Sequence, residues 1–152
     1  MRAMHAAPAW AKALAAAWFG LLATVAFVAA PAAFATLAPA DAGRYVGRVF
    51  VVEAWTSLAV ALLLLFGEQR RARAAAAAGE GSVMSTATLL VLGTLFCTVA
   101  GQFGVAPMID AARAGQGPWS FGALHTASTV LFAIKGLLVL ALAWRWHAAR
   151  GG

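Results

Sequence analysis

The stretch "MSTATLLVLGTLFCTVAGQFGVAPM" at residues 84–108 decides the fold, because it contains no Asp, Glu, Lys or Arg. It is longer than the roughly 20 residues that an α-helix needs to cross the hydrocarbon core of a bilayer. Inside hydrocarbon the backbone must satisfy its own hydrogen bonds, which favours a helix over an open strand. The sequence therefore predicts a transmembrane helix over these residues.

Three further apolar runs of similar length lie at residues 13–37, 45–66 and 119–144. The chain of 152 residues is 63% hydrophobic and only 11% charged, which places it outside the range of soluble domains. We therefore predict an all-α membrane protein with a single integral membrane domain, residues 1–152, built as a four-transmembrane-helix bundle. The polar segment at 67–83 is predicted to be a loop between the second and third spans.

The formal net charge of +6 results from basic residues that lie at the ends of the spans. No basic helix with interleaved aromatic residues is present between them, so we expect no nucleic-acid partner. The basic residues near one end of the spans are Arg2, Lys12, Arg70, Arg71, Arg73, Arg145 and Arg150, and those near the other end are Arg44, Arg48 and Arg113. By the positive-inside rule this imbalance predicts cytoplasmic N and C termini and a cytoplasmic middle loop. The expected location is the bacterial inner (plasma) membrane, as a multi-pass protein.

Aromatic residues near the span ends are typical of the belts that form at both surfaces of a membrane. The predicted belts are Trp10, Trp18, Trp144 and Trp146 on one side, and Tyr45 and Trp119 on the other. The first span also has features of a cleaved signal peptide, with Arg2, an Ala-rich run and "FATLA" before Pro39. Its apolar segment is longer than a usual signal core, so we predict a retained span.

A short pattern occurs in both the first and the third span: "FVAAP" at 27–31 and "FGVAP" at 103–107. A proline inside a helix removes one hydrogen bond and its ring pushes against the carbonyl four residues earlier. We therefore predict helix kinks at Pro31 and Pro107. The same placement of the pattern predicts two similar helical hairpins, related as a parallel internal repeat.

Ionisable side chains inside the second and fourth spans are the candidate ligand-binding residues, because such groups are costly in a membrane and face the bundle interior. The predicted set is Glu53 and Thr56 in the second span, and His125, Ser128 and Lys135 in the fourth. We expect Glu53 and His125 to line a polar pocket in the outer leaflet, with Lys135 as a counter-charge below them. The alternative is that a Glu–His or Glu–Lys pair only locks the two helices together.

Small residues predict close helix packing on two of the spans, since they let backbones approach each other. They are Gly43, Gly47, Gly93, Cys97, Gly101 and Gly104. Cys97, Met108 and His125 could also be drawn as a path for a soft metal such as copper, but the small-residue spacing favours packing for Cys97. We predict no cofactor. No Walker loop, zinc signature or nucleophile elbow is present, which argues against an enzyme without excluding one.

Four segments together carry a resemblance to a known family: "VAAPAAFATL", "AGRYVGRVFVVEAW", "QFGVAPMIDAAR" and "FGALHTASTVLFAIKGLLVL". In these segments the chain resembles the transmembrane protein 205-like family, known in bacteria as domain of unknown function 4149. The resemblance implies a small four-helix membrane protein and no particular activity. A looser likeness to copper-resistance D and haem-associated membrane proteins lacks their several histidines. A single His125 would leave one haem axial position unfilled, so the likeness does not predict haem.

Two functional hypotheses follow from these observations. In the first, the protein binds or transports a small solute or ion at the pocket of Glu53 and His125, and transport through so few helices would require a dimer. In the second, it is a structural or accessory membrane protein whose small-residue faces dock partner helices. The lipid bilayer is the expected surrounding in both, and a homodimer or a membrane-protein partner is left open.

Overall fold

The computed structural model describes residues 6–148. Two of the basic residues used to predict the orientation, Arg2 and Arg150, lie outside the described residues. Four long helices account for most of the described chain, and no residue between 6 and 148 forms a strand. They are α1 (Ala9–Thr36), α2 (Pro39–Ala77), α3 (Thr86–Arg113) and α4 (Phe121–Ala148). All four are long and apolar enough to cross a membrane, so this is a multi-pass membrane protein.

The helices form a ring in which each one packs against the next along the chain, and α4 packs against α1. The beginning of α3 meets the end of α2, where Ser85 Oγ lies 2.7 Å from Glu68 Oε1. The end of α4 lies there too, since the Arg71 guanidinium is 5.4 Å from the centre of the Trp146 ring. We call this the terminal end of the bundle. The opposite end, with the two short turns at 37–38 and 114–120, is the turn end.

The best-packed part of the core lies in the half of the bundle nearer the terminal end. Its large, fully buried side chains include Trp18, Leu22, Leu64 and Leu142. The prediction that Trp18 and Trp146 belong to a surface belt is wrong, because they are only 2% and 6% exposed. The Trp18 Nε1–H donates to Ser57 Oγ, and the Trp146 ring lies against the Arg71 guanidinium, so both indoles contact polar groups of the bundle and not lipid. Many apolar side chains on the outside are exposed, as expected of surface that faces lipid.

The second helix is much longer than predicted. It begins at Pro39, before the predicted start at residue 45, and continues to Ala77 through most of the segment 67–83 that was predicted to be a loop. The Ala-rich composition and pairs such as Arg73 Nη2 to Gln69 Oε1, at 3.1 Å, favour this extension. The helix ends where Gly79 adopts a φ of 74° and the Glu80 N–H donates to the Ala75 carbonyl at 2.8 Å.

The prolines at the helix starts behave differently from each other. Pro39 is the first residue of α2, where its missing N–H costs least. Pro118 does not lie in the first turn of α4, which begins only at Phe121. Ser120 caps that helix instead, because its Oγ accepts a hydrogen bond from the Ala123 N–H at 3.2 Å.

The two prolines inside the spans follow π-helical turns. In α1 the π-helical segment is Val25–Ala29, and the Ala30 N–H, just before Pro31, donates to the Val25 carbonyl five residues back. Pro31 has no N–H to offer the Phe27 carbonyl, and its ring would press against that carbonyl in a regular α-helix. The wider turn relieves this clash by inserting one residue.

The third helix repeats the same arrangement. Its π-helical segment is Ala100–Val105, and the Ala106 N–H, just before Pro107, donates to the Gly101 carbonyl. The two "F-x-x-A-P" patterns thus have the same local backbone. A π-helical turn therefore precedes each of the two prolines at which a kink is predicted.

Candidate functional site

A buried ion pair between α2 and α4 is the centre of the candidate site. Lys135 Nζ donates to both carboxylate oxygens of Glu53, at 2.8 Å to Oε1 and 2.7 Å to Oε2. The two side chains are only 5% and 2% exposed, respectively. Each residue lies 14 positions after the first residue of its helix, from 39 to 53 and from 121 to 135, which is about 21 Å along both axes. Both helices begin at the turn end and run in the same direction, so these two residues lie at the same level, near the middle of the bundle.

Two further side chains extend the ion pair into a hydrogen-bonded network. Ser57, one helical turn after Glu53, donates its hydroxyl to Glu53 Oε1. Trp18 on α1 donates its Nε1–H to Ser57 Oγ at 2.8 Å. Lys135 Nζ also lies 4.8 Å from the centre of the Phe132 ring, within the range of a cation–π contact. The network joins α1, α2 and α4, and its charges balance.

A groove between α1 and α2 has Glu53 among its lining residues. Its volume is about 240 Å³, and its walls are mostly apolar, with Leu21 and Val25 from α1 and Val49 and Val52 from α2. The polar residues that line it are Tyr45, Arg48, Glu53 and Thr56. Glu53 is therefore both a member of the buried network and a lining residue of the groove. The first residue of the π-helical turn, Val25, is also part of the wall.

The structure separates His125 from Glu53, although the two were predicted to share a pocket. His125 is exposed and stacks on Phe121, with ring centres 5.6 Å apart. Ten residues along a helix give about 15 Å of rise and about 80° of rotation, which takes His125 away from the level and face of Lys135. The partner of Glu53 is Lys135, and a Glu–Lys pair was the alternative prediction for these two helices.

The two other predicted ligands, Ser128 and Thr56, make no hydrogen bond with the buried ion pair. Ser128 is partly buried. Thr56 lines the groove, and its hydroxyl donates to the Val52 carbonyl of its own helix at 2.9 Å. Thr56 thus has its hydrogen bond already made, as do the buried hydroxyls of Thr94 and Thr98 on α3.

The residues of the suggested copper path are not gathered together. Cys97 is buried inside the bundle, whereas His125 and Met108 are exposed. Across residues 6–148, no group of three His, Cys, Asp or Glu side chains has the spacing to hold a metal ion.

The glycines predicted to pack helices also differ from one another. A Cβ built on Gly93 would lie 3.0 Å from Leu138 Cδ1, so α3 and α4 approach closely there. Gly43 has a looser neighbour, Arg113 Nη2 at 4.0 Å from the built Cβ. A Cβ on Gly47, Gly101 or Gly104 would meet no atom of the described part of the chain within 4 Å, apart from its own helix and chain neighbours.

A second polar cluster, which was not predicted from the sequence, lies at the terminal end of the bundle. The Glu68 carboxylate accepts from Arg71 Nη2 and from Ser85 Oγ, the latter at 2.7 Å. Ser85 also caps α3, because its Oγ accepts from the Thr88 N–H at 3.1 Å. The spacing of three residues between Glu68 and Arg71, and of four between Glu53 and Ser57, was the available signal for these contacts.

A comparison with family models gives one match. The model described as "Domain of unknown function (DUF4149)" matches residues 13–118, which is more than half of the chain. This segment contains Glu53 and both π-helical turns and ends before Lys135. No curated protein and no solved structure matches the chain.

Proposed function

The chain belongs to the family of domain of unknown function 4149, and we propose that it binds a small solute or ion in the groove between α1 and α2. One observation carries this proposal: Glu53 both accepts the hydrogen bonds of Lys135 and lines the groove. A molecule in the groove would therefore meet the buried charge network. His125 is not part of the proposed site.

The walls of the groove indicate the class of solute. Most of the lining is apolar, and the charged residues that line it are Arg48 and Glu53. A volume of about 240 Å³ is below the range of about 300–1,000 Å³ for sites of drug-sized ligands. We expect a compact molecule or ion that offers a positive charge or a hydrogen-bond donor to Glu53, in competition with Lys135.

The proposal includes the membrane setting. Both termini and the loop after α2 lie on the cytoplasmic side of a bacterial inner membrane, and the two hairpins are repeats of one unit. The likeness to transmembrane protein 205-like proteins is part of the same proposal. Because Trp18, Leu22 and Leu142 fill the centre of the bundle, transport would need a second copy, whereas binding needs only one.

A carbodiimide tests access to Glu53. Diisopropylcarbodiimide is small and apolar, and it activates a carboxyl group as an O-acylisourea. The amine of Lys135, 2.7 Å from Glu53 Oε2, would then attack, so that an amide joins the two residues, diisopropylurea leaves, and water is lost overall. We expect mass spectrometry of the digested protein to find the peptide of Glu53 cross-linked to that of Lys135. In Lys135→Met the stable product should be an N-acylurea on Glu53.

A matched pair of variants separates access through the groove from access elsewhere. Val52→Trp would fill the groove, whereas Val130→Trp places the same bulk on α4, and both valines are about half exposed at 56% and 50%. We expect the first variant to suppress modification of Glu53 and the second to leave it unchanged. Equal modification in both variants, or none at Glu53 in the wild type, would exclude the groove as a binding site.

A second function is favoured by a different observation, namely that both Glu53 oxygens already have partners. On this proposal the protein is a structural or accessory membrane protein, and the network only locks α2 to α4 and α1. Glu53 would then be unreactive in the folded wild type. The carbodiimide experiment therefore distinguishes the two functions.

A further inference from the structure

A second cavity lies at the terminal end of the bundle, away from the groove at Glu53. Its volume is about 140 Å³, and it lies between the start of α1 and the end of α2. Among its lining residues are Trp10, Leu64, Glu68 and Arg71. Glu68 is 15 residues after Glu53 on the same helix, which separates the two sites by about 22 Å. Nothing in the proposed function uses this cavity.

Arg71 is held in place on several sides but has one unsatisfied group. Its Nη2 donates to Glu68, and its guanidinium lies 5.4 Å from the centre of the Trp146 ring. Its Nη1 is buried and has no hydrogen-bond partner. Within residues 6–148, every other buried side-chain nitrogen or oxygen atom has one. Buried donors of this kind are nearly always bonded, and the exceptions commonly indicate a ligand, an ion or ordered water.

The charge around the cavity favours an anion. Within residues 6–148 the terminal end carries five basic residues, Lys12, Arg70, Arg71, Arg73 and Arg145, and two acidic residues, Glu68 and Glu80. The Glu68 carboxylate already accepts from Arg71 and from Ser85. An incoming anion would therefore meet a positive surrounding in spite of this carboxylate.

The position of the cavity favours phosphate among anions. A guanidinium binds the oxygens of carboxylates and of phosphates, and phosphates are the anions found at the level of lipid headgroups. The cavity is large enough for a phosphate group and too small for a whole lipid. Trp10, which lines it and is half exposed, is the kind of residue that lies at the level of lipid headgroups.

We propose that Arg71 forms a phosphate-binding site between α1 and α2, filled by the headgroup phosphate of a membrane lipid or by inorganic phosphate. The Arg71 Nη1–H groups donate to the phosphate oxygens. The Trp146 ring and Glu68 hold the guanidinium in position. Basic pockets between membrane helices bind anionic headgroups in the same manner.

The test compares two arginine variants of the full chain in mild detergent. Arg71→Gln removes the proposed ligand, and Arg73→Gln removes the same charge two residues along α2, where Arg73 is exposed and bonded to Gln69. Native mass spectrometry is used to titrate each protein with phosphatidylglycerol and, in parallel, with diacylglycerol, which has the same chains without phosphate. We expect binding of phosphatidylglycerol to weaken about tenfold in Arg71→Gln and to change little in Arg73→Gln.

A second arm distinguishes the source of the phosphate. Inorganic phosphate is added to lipid-stripped protein, and the shift in the midpoint of thermal unfolding is measured against chloride at equal ionic strength. A shift that depends on Arg71, without preference for phosphatidylglycerol over diacylglycerol, would assign the site to free phosphate. If Arg71→Gln does not fold, Arg71→Lys replaces it, and weaker phosphate binding than in the wild type is expected. Equal behaviour of the position-71 and position-73 variants in both arms would overturn the proposal.

Discussion

Glu53 and Lys135 bring two opposite charges into an apolar bundle, where an unpaired charge is costly. The ion pair offsets the free-energy cost of burying each charge, since Lys135 donates to both carboxylate oxygens. Ser57 and Trp18 fix the carboxylate further, because Trp18 donates to Ser57 and Ser57 donates to Glu53. The four side chains therefore act as a unit, and the loss of one member should affect the others.

Single and double substitutions should reveal this coupling. Lys135→Met leaves the Glu53 carboxylate buried and unpaired, and we expect it to lower the free energy of unfolding by about 3–5 kcal/mol. Glu53→Gln combined with Lys135→Met leaves no charge at this site, so the double variant should be more stable than Lys135→Met alone. The measurement is unfolding in mixed micelles by titration with sodium dodecyl sulfate.

The exposed pair at the turn end provides the control. Arg44 donates to Asp41, and the side chains are 76% and 54% exposed. An exposed pair contributes about 0–1 kcal/mol, so Arg44→Met should change stability little. Additive effects of the two substitutions at positions 53 and 135 would contradict the coupling.

At the scale of single residues, the sequence was enough to select Glu53 and Lys135, because charges are rare in apolar spans. It left His125 and Lys135 both open as the partner of Glu53, because the level of Glu53 depends on where α2 begins. With α2 beginning at Pro39, the level of Glu53 moves toward the middle of the bundle and matches that of Lys135. Hydropathy does not locate helix ends to within a turn, which is why the partner stayed open.

Among the elements, the π-helical turns in α1 and α3 decide which side chains face a neighbour. Eight residues of regular α-helix would place Ala33 about 80° away from Val25, whereas one inserted residue reduces this to about 20°. Beyond the π-helical turn, α1 packs on α2, and Ala33 is buried. The turn therefore keeps the wall of the groove and the packing face of α1 on the same side.

Replacing the proline in α1 should rotate this half of the helix. Pro31→Ala restores an N–H that can bond the Phe27 carbonyl, so a regular α-helix becomes the favoured backbone. Ala33 should then lose its buried position. With Cys97→Ala as background, we expect Ala33→Cys to react with a maleimide several-fold faster when Pro31 is replaced, since a cysteine at a buried site is protected by packing.

A second proline provides the matched control for this experiment. Pro39 lies at the first position of α2, where the missing N–H has no helical partner in any case, so Pro39→Ala should leave the reactivity at position 33 unchanged. An unchanged rate in Pro31→Ala would mean that packing against α2, and not the proline, imposes the π-helical turn. The sequence indicated the place of this distortion but not its form, because kinks and π-helical turns both follow from the same proline.

For the whole molecule, four helices follow directly from four apolar runs, because the thickness of the bilayer sets the length of each. The ring in which α4 closes on α1 does not follow from hydropathy, which is similar on every side of these helices. Nor does the groove, whose position depends on the path of α1 after its π-helical turn. The charge imbalance between the ends is visible in both sequence and structure, with five bases at the terminal end and three at the turn end within residues 6–148.

This imbalance leads to a prediction about orientation that involves the molecule as a whole. Because positive charge is retained on the cytoplasmic side, the loop after α2 should lie inside and the turn before α4 outside. Cys97 is the only cysteine in the sequence, so Cys97→Ala gives a cysteine-free background for Ser82→Cys and Gln116→Cys. In intact spheroplasts we expect a membrane-impermeant maleimide to label the cysteine at position 116, and to label position 82 only after the membrane is opened.

The reverse pattern would invert the bundle and place the cavity at Arg71 outside, whereas labelling of both in intact spheroplasts would contradict a single orientation. The expected pattern would put the phosphate site in the cytoplasmic leaflet, where anionic lipids attract basic residues. The basic residues near the loop and Arg71 would then bind lipids of the same leaflet.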